Sequence, residues 1–299
     1  MRIAVLMSGQ ARYIEQSSWY WRNKIFPKTF ERLHVDYFLN LWDDNSTGKL
    51  SDTVKNLYDA KVVDISDYNL GFHYHRHNVK LANKDTSNRD WHLCNTFVKN
   101  GVCYYGDEFT SYTYNFPGMF LATARMAETF EPYKDHYDIV IKTRTDCVMN
   151  PMAEQHWGNL FSNMLRNKVF EECIFAPWLR IRNGLPFFGD LCFIGKTDLM
   201  FNFMHKMDEN LLKLSTEDKH LMSDYLVDTD LPFAHWLWSR LSMYTKTDWL
   251  ALSVVWPTPF DCALIRNDEP IEDKSFNYLL QAYKTYEAGK HKSPFHLQV

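Results

Sequence analysis

Residues 137–151, YDIVIKTRTDCVMNP, do more than any other stretch to limit what this chain can fold into. Ile139, Val140 and Ile141 form a short β-branched apolar run, the pattern of a strand buried on both faces of a parallel sheet. The run turns polar at once, through Lys142, Thr143, Arg144, Thr145 and Asp146. Ligands of open α/β sheets bind outside the carboxyl ends of the strands. A buried strand charged only at that end therefore reads as part of a site. Asp146 is the candidate metal ligand here, and Arg144 the candidate anion binder, with Lys142 beside them. The same pattern equally describes an Arg144–Asp146 ion pair that closes a strand and does nothing else.

The N-terminal third repeats the theme. Residues 2–8 read as a first buried strand running into Ser8, Gly9, Gln10, Ala11 and Arg12. A glycine there lets backbone approach a ligand closely. The spacing is not G-x-G-x-x-G, so the dinucleotide fingerprint is absent. Residues 13–30 carry Trp19, Trp21, Ile25 and Phe26 on a helical face that Pro27 disturbs. Residues 34–42 form a second strand that ends in Trp42, Asp43 and Asp44, and 61–65 a short third. Strands alternating with helical or loop segments open a parallel α/β sheet.

Residues 66–109 are irregular and hold His73, His75 and His77 in alternation. These either bind metal from one face of a strand or belong to a solvated insertion. A helix over 115–131 follows, capped by Asn115, and feeds the strand at 137. Further on, 172–177 read as a strand, and Asp190 stands beside Gly189 before another, ending at Gly195. Asp190 is either a ligand contact or a turn residue. Thr197 is expected to cap a helix whose Met200, Met204, Met207 and Leu211 share a core face. Asp230 caps another, with Phe233, Trp236, Leu237 and Leu241 inward. His235 lies off that face, either at a site or merely exposed. The last expected strand is 251–256, followed by a polar C-terminal helix and tail.

The 299 residues suffice for one large α/β domain, and no Pro/Gly/Ser-rich linker divides them. A formal net charge of −4 argues against nucleic-acid binding through a broad basic surface. It leaves room for a local groove, for which Arg166, Lys168, Arg180 and Arg182 are candidates. The apolar run at residues 3–7 is too short for a signal peptide, and no run reaches membrane-span length. The six cysteines contain no C-x-x-C pair and read as free thiols. The expectation is a soluble cytoplasmic protein.

Together the three strand ends suit a nucleoside diphosphate. Arg12 and Arg144 would neutralise it, backbone at Gly9 would approach it, Trp42 would border a base, and a cation on Asp146 would bridge its oxygens. Asp190 would remain to act as general base on an acceptor hydroxyl.

SGQAR at 8–12, LWDD at 41–44, YDIVIKTRTD at 137–146 and FGDLCFIG at 188–195 resemble a family of small bacterial and phage glycosyltransferases of the GT-A type, grouped with WavE-like lipopolysaccharide synthesis proteins. The resemblance covers roughly residues 1–265. It implies a GT-A-like α/β fold with a mostly parallel central sheet flanked by helices. Residues 1–150 would form a nucleotide-sugar-binding half, 151–265 an acceptor-side half, and 266–299 a C-terminal helix and tail. It further implies a nucleotide-sugar donor, most simply a UDP-sugar, and manganese or magnesium held by a D-x-D pair. This chain departs from that pair, because position 144 is Arg. Arg144 would then take over part of the cation's work. On this resemblance Ser8, Gly9, Gln10, Arg12, Trp42, Asp43, Lys142 and Arg144 are donor-site candidates, Asp146 the metal ligand, and Asp190 and His235 the catalytic candidates. The acceptor would be 5-hydroxymethylcytosine in phage DNA, placing the protein in host cytoplasm, or a surface glycan. Two other readings compete: a nucleotidyltransferase or nucleotide hydrolase on a related sheet, and a non-catalytic nucleotide-binding module.

Overall fold

The computed structural model describes residues 1–26, 33–43, 50–67, 96–99, 102–105, 115–149, 173–176, 179–182, 185–188, 191–210, 247–251 and 262–264, with single residues 213, 238, 241, 242 and 245. In chain order the strands are β1 (Arg2–Gln10), β2 (His34–Asp43), β3 (Val62–Asp67), β4 (Thr96–Lys99), β5 (Val102–Tyr105), β6 (Ile139–Thr143), β7 (Cys147–Met149), β8 (Cys173–Ala176), β9 (Leu179–Arg182), β10 (Leu185–Phe188), β11 (Cys192–Lys196), β12 (Asp248–Ala251) and β13 (Cys262–Leu264). The helices are α1 (Ile14–Tyr20), α2 (Leu50–Tyr58), α3 (Asn115–Phe130) and α4 (Thr197–Met204). A π-helix (Trp21–Ile25) continues α1, and a 3-10 segment (Glu131–His136) links α3 to β6.

Seven strands form one sheet in the order β12-β8-β11-β6-β1-β2-β3. β1 pairs in parallel with β2 and β6, and β2 with β3. The expectation of a mostly parallel sheet needs correction. β11 lies antiparallel to both β6 and β8, so the sheet is mixed. Its reversal follows from the connection: β11 reaches its place beside β6 after β8 and the antiparallel hairpin β9–β10, not through a βαβ crossover.

The alternation along β1 explains the layers. Ala4 and Leu6 face a cluster with Phe120, Ala124 and Phe130 of α3 and Met200 and Met204 of α4. Ile3, Val5 and Met7 face the opposite cluster, with Ile14, Trp21 and Ile25 on one helical segment and Val54 and Tyr58 on α2. A strand covered on both faces must be apolar throughout, as β1 and the start of β6 are. The methionine stripe of α4 is core, as expected.

The N-terminal edge of the sheet is tied by polar groups. Tyr137 donates its hydroxyl to Asp36 at 2.6 Å, while Lys61 and Arg2 lie within 4 Å of the same carboxylate, at 3.8 and 3.9 Å. The Arg2 backbone N–H donates to Asp138 Oδ2 at 2.8 Å, and Asp138 N–H to Arg2 O at 2.9 Å. Those contacts fasten β6 to β1 at the end away from the candidate site.

Several local expectations shift. The first helix changes to π geometry at Trp21 instead of running on as one α-helix. Thr197 does not cap α4. Its hydroxyl donates to Tyr137 O at 2.8 Å and binds the helix start to β6 instead. The last strand of the seven-stranded sheet in chain order is β12, and residues 252–256 of the strand expected at 251–256 lie outside the described residues. Cys147, Cys173 and Cys192 are buried free thiols. The run of His73, His75 and His77, Arg166, Lys168 and the tail from 266 lie outside the described residues; of the helix expected from Asp230, residues 238, 241 and 242 are described, and Leu241 is buried as expected. Among those described, no helix is long and apolar enough to cross a membrane.

Candidate functional site

From β1 the chain moves outward to β2 and β3, then returns to the other side of β1 as β6. The crevice between the carboxyl ends of β1 and β6 is thus a topological switch point, where open α/β sheets place ligands. The register fixes what meets there. Met7 pairs with Thr143 on one side of β1, while Gly9 pairs with Leu41 and Gln10 with Trp42 on the other.

Gly9 has φ of +118°, which side-chain-bearing residues rarely adopt, and a Cβ built on it would meet nothing within 4 Å among the described residues. Its glycine is therefore required by backbone conformation, not by crowding, and open space adjoins its Cα. The chain then turns tightly, with Arg12 N–H donating to Gln10 O at 2.9 Å, and Tyr13 enters α1 with φ of +51°. Ser8 is buried, Gln10 is half-buried and Arg12 is exposed.

On the β6 side, Arg144 to Cys147 form a reverse turn closed by Cys147 N–H donating to Arg144 O at 3.2 Å. Thr145 joins it to β1: its hydroxyl donates to Gln10 O at 2.6 Å and accepts from Arg12 N–H at 3.4 Å. Trp21, fully buried in the π-helix, donates its indole N–H to Cys147 O at 2.9 Å. Thr145 and Trp21 thus hold the turn from two directions. Reading the sequence for charge alone passes over both. For Trp21 the available signal was the aromatic helix beside a polar strand end.

Arg144 and Asp146 make a two-pronged pair, Nε to Oδ1 at 2.9 Å and Nη2 to Oδ2 at 2.8 Å. The Asp146 side chain is 8% exposed and that of Arg144 27%, so the carboxylate lies behind the guanidinium. Beneath them is a set of buried hydroxyls. Tyr37 and Tyr58, with ring centroids 5.7 Å apart, have buried hydroxyls, that of Tyr58 beside Ser17. Burial holds both hydroxyls far above the usual tyrosine range, and the charge of Asp146 adds to this at Tyr58.

The pair bears directly on the expected cation at Asp146. Both carboxylate oxygens already accept from Arg144. Among the described residues no group of three or more His, Cys, Asp or Glu is arranged to hold a metal ion. As they stand, these residues do not fit a divalent cation, which needs several oxygen ligands.

Other candidates lie elsewhere. Lys142 is fully buried, its Nζ 5.4 Å from the Phe193 ring centroid and 5.1 Å from that of Trp238, so it faces an aromatic interior on the α3 side of the sheet. Trp42 is 3% exposed and packs with Leu121 and Ala122 of α3, with the Arg125 guanidinium 5.8 Å over its ring. Its ring is core in this arrangement instead of an open platform for a base. Arg125, which the sequence pattern did not single out, is brought to the β2 end by α3. Asp43 ends β2 opposite Asp67. Asp190 and His235 lie outside the described residues.

The chain matches no family model and no curated protein. Among solved structures it is similar to mouse xyloside xylosyltransferase 1 in its apo form, with a TM-score of 0.42 and 12% identity over 84% of each chain.

Proposed function

We propose that this chain is a glycosyltransferase that takes a nucleotide-sugar donor, with the donor's diphosphate at the β1–β6 switch point. One observation supports the reading: the turn that carries the Arg144–Asp146 pair is joined through Thr145 to the backbone at Gln10, next to Gly9. Backbone that admits close approach, next to a fixed guanidinium fork, is the chemistry that recognises a phosphate-bearing ligand. The likeness of the 8–12, 41–44, 137–146 and 188–195 segments to GT-A-type enzymes supports a sugar on that ligand. Positive charge at the diphosphate would stabilise the leaving group as the glycosidic bond breaks. Asp190 is the proposed base on the acceptor hydroxyl, with His235 as a second candidate. A UDP-sugar donor and an acceptor of hydroxymethylated DNA or glycan belong to the same proposal.

Incubation with a panel of nucleotide sugars, with hydroxymethylated DNA and with glycan acceptors, tests it. The expected product is a free nucleoside diphosphate matched by a sugar on the acceptor. Release of pyrophosphate or inorganic phosphate would move the assignment to a nucleotidyltransferase or nucleotide hydrolase. Binding without turnover of any donor would leave a nucleotide-binding module.

A further inference from the structure

We infer that Arg125, which α3 carries to the carboxyl end of β2, is an anion-binding residue of this site and takes an oxyanion of a phosphate-bearing ligand. The inference rests on the donor-site reading above and deepens it by naming a cation that reaches the ligand from the helix side of the sheet.

α3 and β2 run past each other in opposite directions, and their contacts set the height of each residue. Phe130 packs edge-on against Phe38, with ring centroids 5.1 Å apart. Further along β2, Asn40 donates its side-chain amide to Thr129 Oγ1 at 3.3 Å. The next rung places the Arg125 guanidinium 5.8 Å over the Trp42 ring. Thr129 and Arg125 share a helix face at i, i+4 spacing, and Asn40 and Trp42 share a sheet face at i, i+2. This last rung therefore stands at the carboxyl end of the strand, where Trp42 pairs with Gln10 of β1. Gln10 is also the residue whose carbonyl oxygen takes the Thr145 hydroxyl from the β6 turn. The end of β1 thus has Arg125 on its β2 side and the Arg144 turn on its β6 side.

The two guanidinium groups differ in how their charge is met. Arg144 gives two N–H groups to Asp146. Among the described residues, no carboxylate lies within ion-pair distance of Arg125 and no oxygen accepts a hydrogen bond from it. Asp208 senses its charge from further off, and burial nevertheless holds that carboxyl above its ordinary value. Arg125 is half-buried, so its guanidinium has given up part of its hydration with no counter-charge at contact range. The Trp42 ring beneath it is buried and therefore fixed. Stacking on that ring orders the guanidinium plane without using its N–H donors. A bound oxyanion would meet both the charge and the donors, through parallel N–H···O bonds.

Calorimetry with UDP, GDP and inorganic pyrophosphate, each at two ionic strengths, tests the assignment on wild type, Arg125→Met and Arg125→Lys. Met keeps an unbranched stem against Trp42 and removes the charge, while Lys keeps the charge and loses the planar fork. Wild type is expected to bind at least one of the three probes. Arg125→Met should bind it about tenfold or more weakly, with a shallower salt dependence, and Arg125→Lys should fall between. Melting curves without ligand show whether the variants fold, and Arg125→Gln stands in if Arg125→Met does not. An Arg125→Met affinity within about twofold of wild type overturns the inference and leaves the donor reading standing. So does a loss that Arg125→Lys does not reduce and that leaves the salt dependence unchanged, since that is the mark of packing alone. Pyrophosphate binding that depends on Arg125, with no nucleotide binding, keeps the anion-binding residue and overturns the donor reading. Failure of wild type to bind any of the three overturns both.

Discussion

At the scale of single residues, Gly9 links backbone conformation to ligand space. Its φ of +118° penalises any side chain, although a Cβ there would touch nothing among the described residues. Gly9→Ala should therefore cost about 1–3 kcal/mol through backbone strain, measured by urea unfolding. It should also weaken nucleotide binding, because the methyl group projects into the uncovered space. A cost near zero would show that the positive φ relaxes easily. Arg144 and Asp146 were legible as charged residues at a strand end, either a ligand site or an ion pair, and the structure shows the pair. Sequence spacing cannot tell a carboxylate awaiting a cation from one already holding a guanidinium. Lys142 and Trp42 show the same gap. Both belong to polar-looking strand ends, and both turn inward because the pleat, which alternates side chains between faces, points them at α3 and its neighbours.

At the scale of elements, the order of β1, β2 and β3, the helix α3 and the strand β6 were all legible from apolar runs and helical periodicity. The elements that were not are those whose existence depends on distant partners. β7 is only three residues long and exists because β13 pairs with it from more than a hundred residues away. α2 has few apolar positions, of which Val54 and Tyr58 are buried. The π-helix has no propensity signature at all. Its i→i+5 bonding, uncommon outside functional sites, turns Trp21 inward to meet the site turn. Trp21→Phe keeps the aromatic volume and removes the indole donor, leaving Cys147 O short of a buried bond. A loss of about 1–3 kcal/mol in unfolding free energy is expected. If Trp21 matters only for packing, the loss should be well under that, and nucleotide affinity should not change.

At the scale of the whole molecule, two features govern stability and assembly. The buried Tyr37 and Tyr58 hydroxyls keep their protons far above the usual range, whereas the unfolded chain releases them near pH 10. Above that pH the folded state binds more protons than the unfolded one, so stability falls as pH rises. Each of the two contributes a slope of about 1.4 kcal/mol per pH unit, beginning near pH 10 and absent below it. Denaturant midpoints at pH 9 and pH 11 should show a smaller drop in the Tyr37→Phe, Tyr58→Phe double variant than in the wild type. Equal drops would mean that these hydroxyls titrate normally. The second feature is the place of β1. It is the first strand of the chain and an interior strand of the sheet, yet its partner on one side, β6, begins at Ile139. During synthesis on the ribosome, this largely apolar strand therefore waits with an unpaired flank until more than a hundred further residues have emerged. Exposed strand flanks recruit other chains, so expression yield should depend on translation speed and on chaperones through residues 10–143 more than on anything downstream.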